Sequence, residues 1–265
     1  MAGTNGWPVW YELMTPDPAG SIPFYRAALG WEIAAEGNMM PNGSEYRMIG
    51  RADGGNAGGV LTLTAGMAEM GMAPGWFTYF YAEDVDTTAT KLAALRGAVH
   101  MEPMDMGGAG RIAMVSDPFG AVFYLIKPTP PAGQPDAQSD VFAPGITGRN
   151  AWNELGTSDG PGALAFYKEL FGWKSDDFMS MGPAGEYRFV EIDGTQIGAI
   201  SPMLAEGSKP GWLPYFRAQN IDAAKAAVLA TGGKLIMDAH EVPGDDMIII
   251  VSDPSGAQLG IAAAK

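Results

Sequence analysis

The sequence predicts an α+β chain of two tandem duplicated domains, each holding two strand–helix–three-strand (βαβββ) units. Three observations carry that expectation. First, "WYELMTPDPAGSIPFYRAALGWE" from Trp10 and "WNELGTSDGPGALAFYKELFGWK" from Trp152 share Trp, Glu, Leu, Asp, Phe-Tyr, Leu and Gly-Trp at a constant spacing of 142 residues, which is the mark of a duplication. Second, the match continues through "EYRM" and "EYRF" (Tyr46, Tyr187), "GWFTYFYAEDVD" and "GWLPYFRAQNID" (Trp76, Trp212), and "VSDPFGAVF" and "VSDPSGAQL" (Asp117, Asp253). By Asp117 and Asp253 the spacing is 136, so the first copy carries six extra residues in its middle. Third, the same local grammar runs twice within each copy.

In the first copy, Val9 to Met14 reads as a strand, Asp17 as a helix-start signal, and "SIPFYRAALG" as a helix closed by Gly30. Pro23 is tolerated only near a first turn, so this helix is expected to start late. Phe77 to Ala82 reads as the next strand, with Asp86 near the cap of "TTATKLAALRG" and Gly97 as the stop. Short strands follow each helix: "WEIAA", "YRMIG" and "GGVLTLT", then "VHMEP", "RIAMVS" and "AVFYLIK". "RADGGNAGGV" reads as a flexible hairpin. The "SDPFG" and "SDPSG" stretches place Pro and Gly where a tight turn between strands wants them.

Between the copies, "PTPPAGQPDAQSDVFAPGITG" has five prolines counting Pro128 and little apolar periodicity, so it reads as an extended surface linker. The expected domains are residues 1–128 and 149–265, with a Pro-rich linker at 129–148.

Composition narrows the function. The 265 residues, 47% of them hydrophobic, suffice for two cores, and the absence of cysteine excludes disulfides and sulfur-ligated metals. A net charge of −14 repels phosphate backbones and acidic membranes, so neither nucleic acid nor a membrane is an expected partner. The opening "MAGTNGWPVW" lacks a basic segment followed by an apolar stretch, and no apolar run approaches a membrane span, which makes a cytoplasmic protein the default expectation. Seventeen methionines read first as fillers of cores and loops such as "MAEMGMAPGW", and second as adaptable ligand contacts.

The strand-Asp-"FY...LGW" opening, the "DVD" helix start and the "SDPFG" corner are weak signals one by one. Four units carrying them in the same order resemble the vicinal oxygen chelate superfamily, which includes glyoxalase I, bleomycin and fosfomycin resistance proteins and extradiol dioxygenases. The likeness covers both copies and is strongest to the two-domain, glyoxalase-like group with "WYEL" openings. It implies paired βαβββ units curled into an incomplete, cup-shaped barrel whose concave face holds a ligand. It also implies a divalent ion held by His, Gln or Glu on facing strands. Here those positions are Trp10 and Trp152, Phe77 and Leu213, and Tyr124 and Gly260. None is a metal-ligand type, so no cofactor is expected, although a divalent metal stays possible. His100 and His240 fall outside the implied cup and read as surface or turn residues. Single-domain members of the superfamily often dimerise to complete a cup, so either a monomer or a homodimer fits a duplicated chain.

Side chains alternate along a strand, so if Trp10 faces the cup, Glu12 and Met14 do too, while Val9, Tyr11 and Leu13 pack beneath helices. The same parity gives the first cup Phe77, Tyr79 and Tyr81, with Val122, Tyr124 and Ile126. The second cup receives Trp152 and Glu154, then Leu213, Tyr215 and Arg217, with Gln258, Gly260 and Ala262. Arg217 is expected to pair with Glu154. Both glutamates are either carboxylates satisfied at a cup floor or functional groups.

Three readings stay open. The chain binds a small, largely apolar or aromatic molecule in its cups without the usual metal; it is a metal-free lyase or isomerase of the glyoxalase type with Glu12 or Glu154 as general base; or it is a metal-dependent glyoxalase or dioxygenase with noncanonical ligands such as Glu12. Trp10, Met14, Phe77, Tyr79, Tyr81, Tyr124, Trp152, Tyr215, Arg217 and Gln258 are the expected ligand-binding residues. The aromatic first cup is the one expected to be occupied.

Overall fold

The computed structural model describes residues 3–40, 43–203 and 209–265. The first copy begins with β1 (Pro8–Thr15), α1 (Pro18–Leu29), β2 (Glu32–Ile33), β3 (Asn38–Met39), β4 (Glu45–Gly50) and β5 (Asn56–Thr62). A short helix, α2 (Ala65–Glu69), precedes β6 (Gly75–Tyr81), α3 (Val85–Ala94), β7 (Ala98–Asp105), β8 (Gly110–Ser116) and β9 (Val122–Pro128). The second copy runs β10 (Asn150–Thr157), α4 (Gly160–Phe171), β11 (Phe178–Ser180), β12 (Glu186–Ile192) and β13 (Thr195–Pro202), then β14 (Gly211–Arg217), α5 (Ile221–Ala230), β15 (Lys234–Val242), β16 (Asp246–Ser252) and β17 (Gln258–Ala264). This is the predicted tandem α+β architecture of four strand–helix–strands units.

The helix signals act as expected in most places. Asp17 caps α1 by accepting the Gly20 amide at 2.8 Å, and Gly30 ends it at φ 69°. Pro23 does not delay the start, because α1 begins at Pro18 and carries Pro23 inside it. The missing proline N–H would have served the carbonyl of Ala19, which lies in the exposed first turn where water can replace it. In α3 the cap is Asp84, accepting the Thr87 amide at 2.9 Å, and Asp86 sits in the first turn. The left-handed residue after α3 is Arg96 (φ 70°) rather than Gly97. Gly97 is required for another reason: a Cβ there would lie 2.7 Å from the Ser116 carbonyl oxygen.

Strand order is the same in both sheets: β2-β4-β5-β1-β6-β9-β8-β7, with β3 beside β4, and β11-β12-β13-β10-β14-β17-β16-β15. Each βαβββ unit closes through a parallel pair, β1 with β5, β6 with β9, β10 with β13 and β14 with β17. Grouped by contacts, the chain forms two compact units, and each draws on both copies. One comprises Met1–Val9, Thr78–Asp140 and Trp152–Trp212; the other comprises Trp10–Phe77, Val141–Ala151 and Leu213–Lys265.

The unit containing Trp10–Phe77 buries Tyr11, Leu13, Phe24, Tyr25 and Trp31 together with Phe216, Val228 and Ile261. Trp31 meets Phe216 edge-on at 4.8 Å. At its centre the Trp76 indole donates to the Tyr25 hydroxyl (3.1 Å), which donates to Asp253 (3.0 Å). Asp253 also accepts the amides of Ser255 and Ala257, each at 2.9 Å. The other unit repeats this relay: Trp212 donates to Tyr167 (3.3 Å), Tyr167 to Asp117 (3.1 Å), and Asp117 accepts the amides of Phe119 and Ala121 at 2.9 Å. Thus the "FY", "GW" and "SDP" motifs form one buried polar network, and the Asp that shapes each hairpin corner also satisfies a tyrosine from the other copy. Burial pushes both carboxyls above the ordinary Asp value, and burial with the nearby Asp charge pushes both phenols well above theirs.

The connector is not uniformly at the surface. Ser139 Oγ donates to the Val9 carbonyl at 2.6 Å, Val141 and Phe142 are buried, and the Trp31 indole donates to the Gly148 carbonyl at 2.8 Å. Among the described residues, no helix is long and apolar enough to cross a membrane.

Candidate functional site

On β1, Tyr11 and Leu13 are fully buried in the core formed with α1, which turns Trp10, Glu12 and Met14 to the opposite face. Parallel pairing sets Glu12 beside Gly59 and Met14 beside Leu61, and β4 sets Tyr46 opposite Leu61. The Trp10 indole donates to the Tyr46 hydroxyl at 2.8 Å. The Tyr46 ring leans over Gly59 so closely that a Cβ there would lie 2.1 Å from the phenolic oxygen. Glu12 is only 3% exposed and Met14 is completely buried.

The second copy builds the same motif on β10. Asn153 and Leu155 are buried, with Asn153 donating to the Ile197 carbonyl at 2.9 Å, whereas Trp152, Glu154 and Gly156 are each partly exposed. The Trp152 indole donates to Tyr187 at 2.8 Å, and the Tyr187 hydroxyl donates to Glu154 Oε2 at 3.1 Å. Glu154 and Phe189 both register on Ala199. Phe189 stands edge-on to Trp152 (6.0 Å) and to Tyr187 (5.5 Å). Burial of the Tyr187 hydroxyl, together with the negative charge of Glu154, raises its pKa well above the usual phenol value, so it is a hydrogen-bond donor at neutral pH.

The other expected residues sort by contact. Tyr79 and Tyr124 register with each other and stack face to face at 4.2 Å, both buried. The Tyr81 hydroxyl is taken up by Glu83 and by Lys127 (2.7 Å), placing it in a charged cluster. Phe77 is partly exposed. The Tyr215 ring covers Gly260, where a Cβ would meet it at 2.0 Å. Arg217 does not follow expectation: both terminal nitrogens bind Asp246 at 2.7 Å, and one also reaches the Pro144 carbonyl at 3.1 Å. A planar guanidinium matches a carboxylate bidentately, and Asp246 supplies that fit. Gln258 is exposed at the start of β17. Tyr46 and Tyr187 are the site residues that sequence reasoning used as alignment marks without assigning a role; their matched places in "EYRM" and "EYRF" were the available signal.

Each cluster contains one carboxylate, surrounded by indole, phenol and either thioether or phenyl groups. A divalent ion requires several oxygen, nitrogen or sulfur ligands converging on one point, and no group of three His, Cys, Asp or Glu side chains able to hold one occurs among the described residues. This donor set does not fit the ion that the family resemblance implies. His100 bonds Ser116 (2.9 Å) on β7 and His240 faces the Asp238 carbonyl (3.1 Å) on β15, each on the last strand of its sheet.

Two βαβββ units in each of two sheets, repeated in tandem, define a duplicated α+β fold. The chain belongs to the Glyoxalase/Bleomycin resistance protein/Dioxygenase superfamily, whose family model matches residues 7–125 and again 151–261. It is 29% identical over 253 residues to the Mycobacterium tuberculosis protein named "Putative glyoxylase CFP32", covering 96% of this chain and 93% of the relative. It is 27% identical over 274 residues to the anthracycline biosynthesis protein DnrV of Streptomyces peucetius, covering 98% and 94% respectively. In fold it is similar to the Mn(II)-bound glyoxalase from Novosphingobium aromaticivorans (TM-score 0.66, 13% identity, 98% of this chain and 83% of that one). The 2,3-dioxygenase LapB from Pseudomonas sp. KL28 is comparable (TM-score 0.64, 13% identity, 99% and 93%).

Proposed function

We propose that this protein binds a small, largely apolar or aromatic molecule at its Trp–Glu–Tyr clusters, without a metal as its anchor. The observation that supports this reading is the Trp152–Tyr187–Glu154 chain, in which an indole and a phenol orient a single carboxylate beside the ring of Phe189. Such a site combines apolar contact area with one directional polar group, the composition that small-molecule pockets favour. The name of DnrV, which ties that relative to anthracycline biosynthesis, agrees with an aromatic ligand. A net charge of −14 argues against nucleic acid as a partner.

The test is equilibrium binding of neutral planar phenols and amines by chelator-treated protein, run beside turnover of dicarbonyl and hemithioacetal substrates. Saturable binding that survives chelation, with no turnover, is expected. Turnover that disappears in Glu154→Gln or Glu12→Gln would replace this reading with a general-base lyase or isomerase. A stoichiometric divalent ion required for binding would replace it with the metal-dependent one.

A further inference from the structure

We propose that the compact unit holding Thr78–Asp140 and Trp152–Trp212 carries a ligand site of its own, a cavity of about 530 Å³ that takes a small zwitterion with an apolar body, of the α-amino-acid kind. The cavity shares no residue with the Trp–Glu–Tyr clusters, and the inference does not rest on the reading above.

Leu95 and Arg96 at the end of α3, Phe119 in the "SDPFG" corner, Asp159 at the cap of α4, and Ala165 and Phe166 along that helix line the cavity. Its volume falls within the roughly 300–1,000 Å³ of small-molecule sites. Comparison with the other copy shows what is particular to it. A spacing of 136 sets Thr231, Gly232 and Ser255 at the positions of Leu95, Arg96 and Phe119. Gly232 adopts φ 87° and Arg96 φ 70°. Glycine enters that conformation freely, whereas a side chain is held there at a cost, and such costs gather where a side chain has work to do. Ser255 accepts the Thr15 hydroxyl at 2.9 Å, while the Phe119 ring lies over Gly162, where a Cβ would come within 2.7 Å of its edge. Thus one copy places a small, polar trio where the other places an aliphatic chain, a cation and an aromatic ring, all on one cavity.

The charges define the ligand. Among the described residues the Arg96 guanidinium makes no hydrogen bond or ion pair. Asp159 Oδ1 accepts the Gly162 amide at 2.9 Å, and its carboxylate pairs with no cation among the described residues. Opposite charges therefore line one cavity without closing on each other. A guanidinium grips a carboxylate through two N–H groups, and the Asp159 carboxylate complements an ammonium. Leu95, Phe119 and Phe166 supply contact for the apolar body. A ligand of zero net charge also escapes the repulsion that a chain of net charge −14 exerts on anions.

The experiment is equilibrium dialysis of the full chain against L-phenylalanine, 3-phenylpropionate and 2-phenylethylamine, which carry both charges, the acid alone and the amine alone. Wild type should hold one phenylalanine per chain, at least about tenfold more tightly than either single-charge analogue. Arg96→Gly, which installs the residue of the other copy, should weaken phenylalanine at least about tenfold while its thermal midpoint stays no lower than that of wild type. Arg96→Lys keeps the charge and should recover part of that loss. Asp159→Asn keeps a helix cap and should weaken phenylalanine without changing 3-phenylpropionate. Phenylalanine that binds Arg96→Gly as it binds wild type, that binds no more tightly than 3-phenylpropionate, or that does not bind saturably overturns the assignment. Loss of phenylalanine in Glu154→Gln with Arg96→Gly unaffected also overturns it, by moving the ligand to the strand-borne cluster.

Discussion

The two buried relays and the two strand-borne clusters descend from the same duplication and have fared differently. Trp76–Tyr25–Asp253 and Trp212–Tyr167–Asp117 keep the same residue types, the same donor order and distances within 0.2 Å of each other. The clusters keep Trp, Glu and Tyr but exchange Met14 for Gly156, Gly59 for Ala199 and Met48 for Phe189. A buried hydroxyl or carboxylate that loses its partner bears the full desolvation penalty, so a relay changes only as a whole. The exchanged positions carry no side-chain donor or acceptor that a substitution could strand, so no such penalty holds them fixed.

Truncating an Asp of the relay breaks it most severely. Asp253→Ala and Asp117→Ala each strand a buried tyrosine and two hairpin amides, and should lower unfolding stability by about 3 kcal/mol or more, measured by urea titration. Tyr25→Phe and Tyr167→Phe, which remove a donor while leaving the amides bound, should cost less. Equal losses for Asp→Ala and Tyr→Phe would show that the corner amides contribute nothing.

The clusters provide the next comparison. Gly59→Ala drives a methyl into the Tyr46 phenol and should cost about 1–3 kcal/mol, whereas Ala199→Gly should cost about 0.5–1 kcal/mol from backbone freedom alone. Similar values for the two substitutions would mean that Tyr46 and Tyr187 sit alike over their strands.

The smallest effect is a pH slope. Asp117 and Asp253 have folded-state pKa values raised above the unfolded one, chiefly by burial. Between those values the folded chain binds more protons, so their contribution is complete below the unfolded pKa and is lost as pH rises through the folded one, beginning at about pH 4. Asp117→Asn with Asp253→Asn keeps an acceptor oxygen and removes the ionisation, so its stability should fall less steeply than wild type over that range. Parallel curves would place the pH dependence elsewhere.

The repeat made the architecture legible: a fixed spacing, helix caps at Asp17 and Asp159, and Gly30 and Gly172 at the helix ends all appear as letters. That Trp10, Glu12 and Met14 share one face of β1, opposite Tyr11 and Leu13, was legible too, because alternation is a local rule. Long-range partners were not. Asp246 lies 29 residues beyond Arg217, and Asp253 lies 228 beyond Tyr25, separations over which no periodicity operates. The "SDP" corner could be read as a turn but not as the acceptor for a distant phenol. A list of aromatics likewise cannot say which rings pack on one another, as Tyr79 does on Tyr124.

The assignment of each compact unit to pieces from both copies bears on how the gene can be divided. A product ending after β9 would present Trp31 without Phe216 and Tyr25 without its aspartate, and a product beginning at β10 would leave Phe216 and Asp253 just as bare. The repeat visible in the letters is therefore not the unit of self-sufficiency: fusing the copies guarantees, at every copy number in the cell, that each half meets the surface it needs.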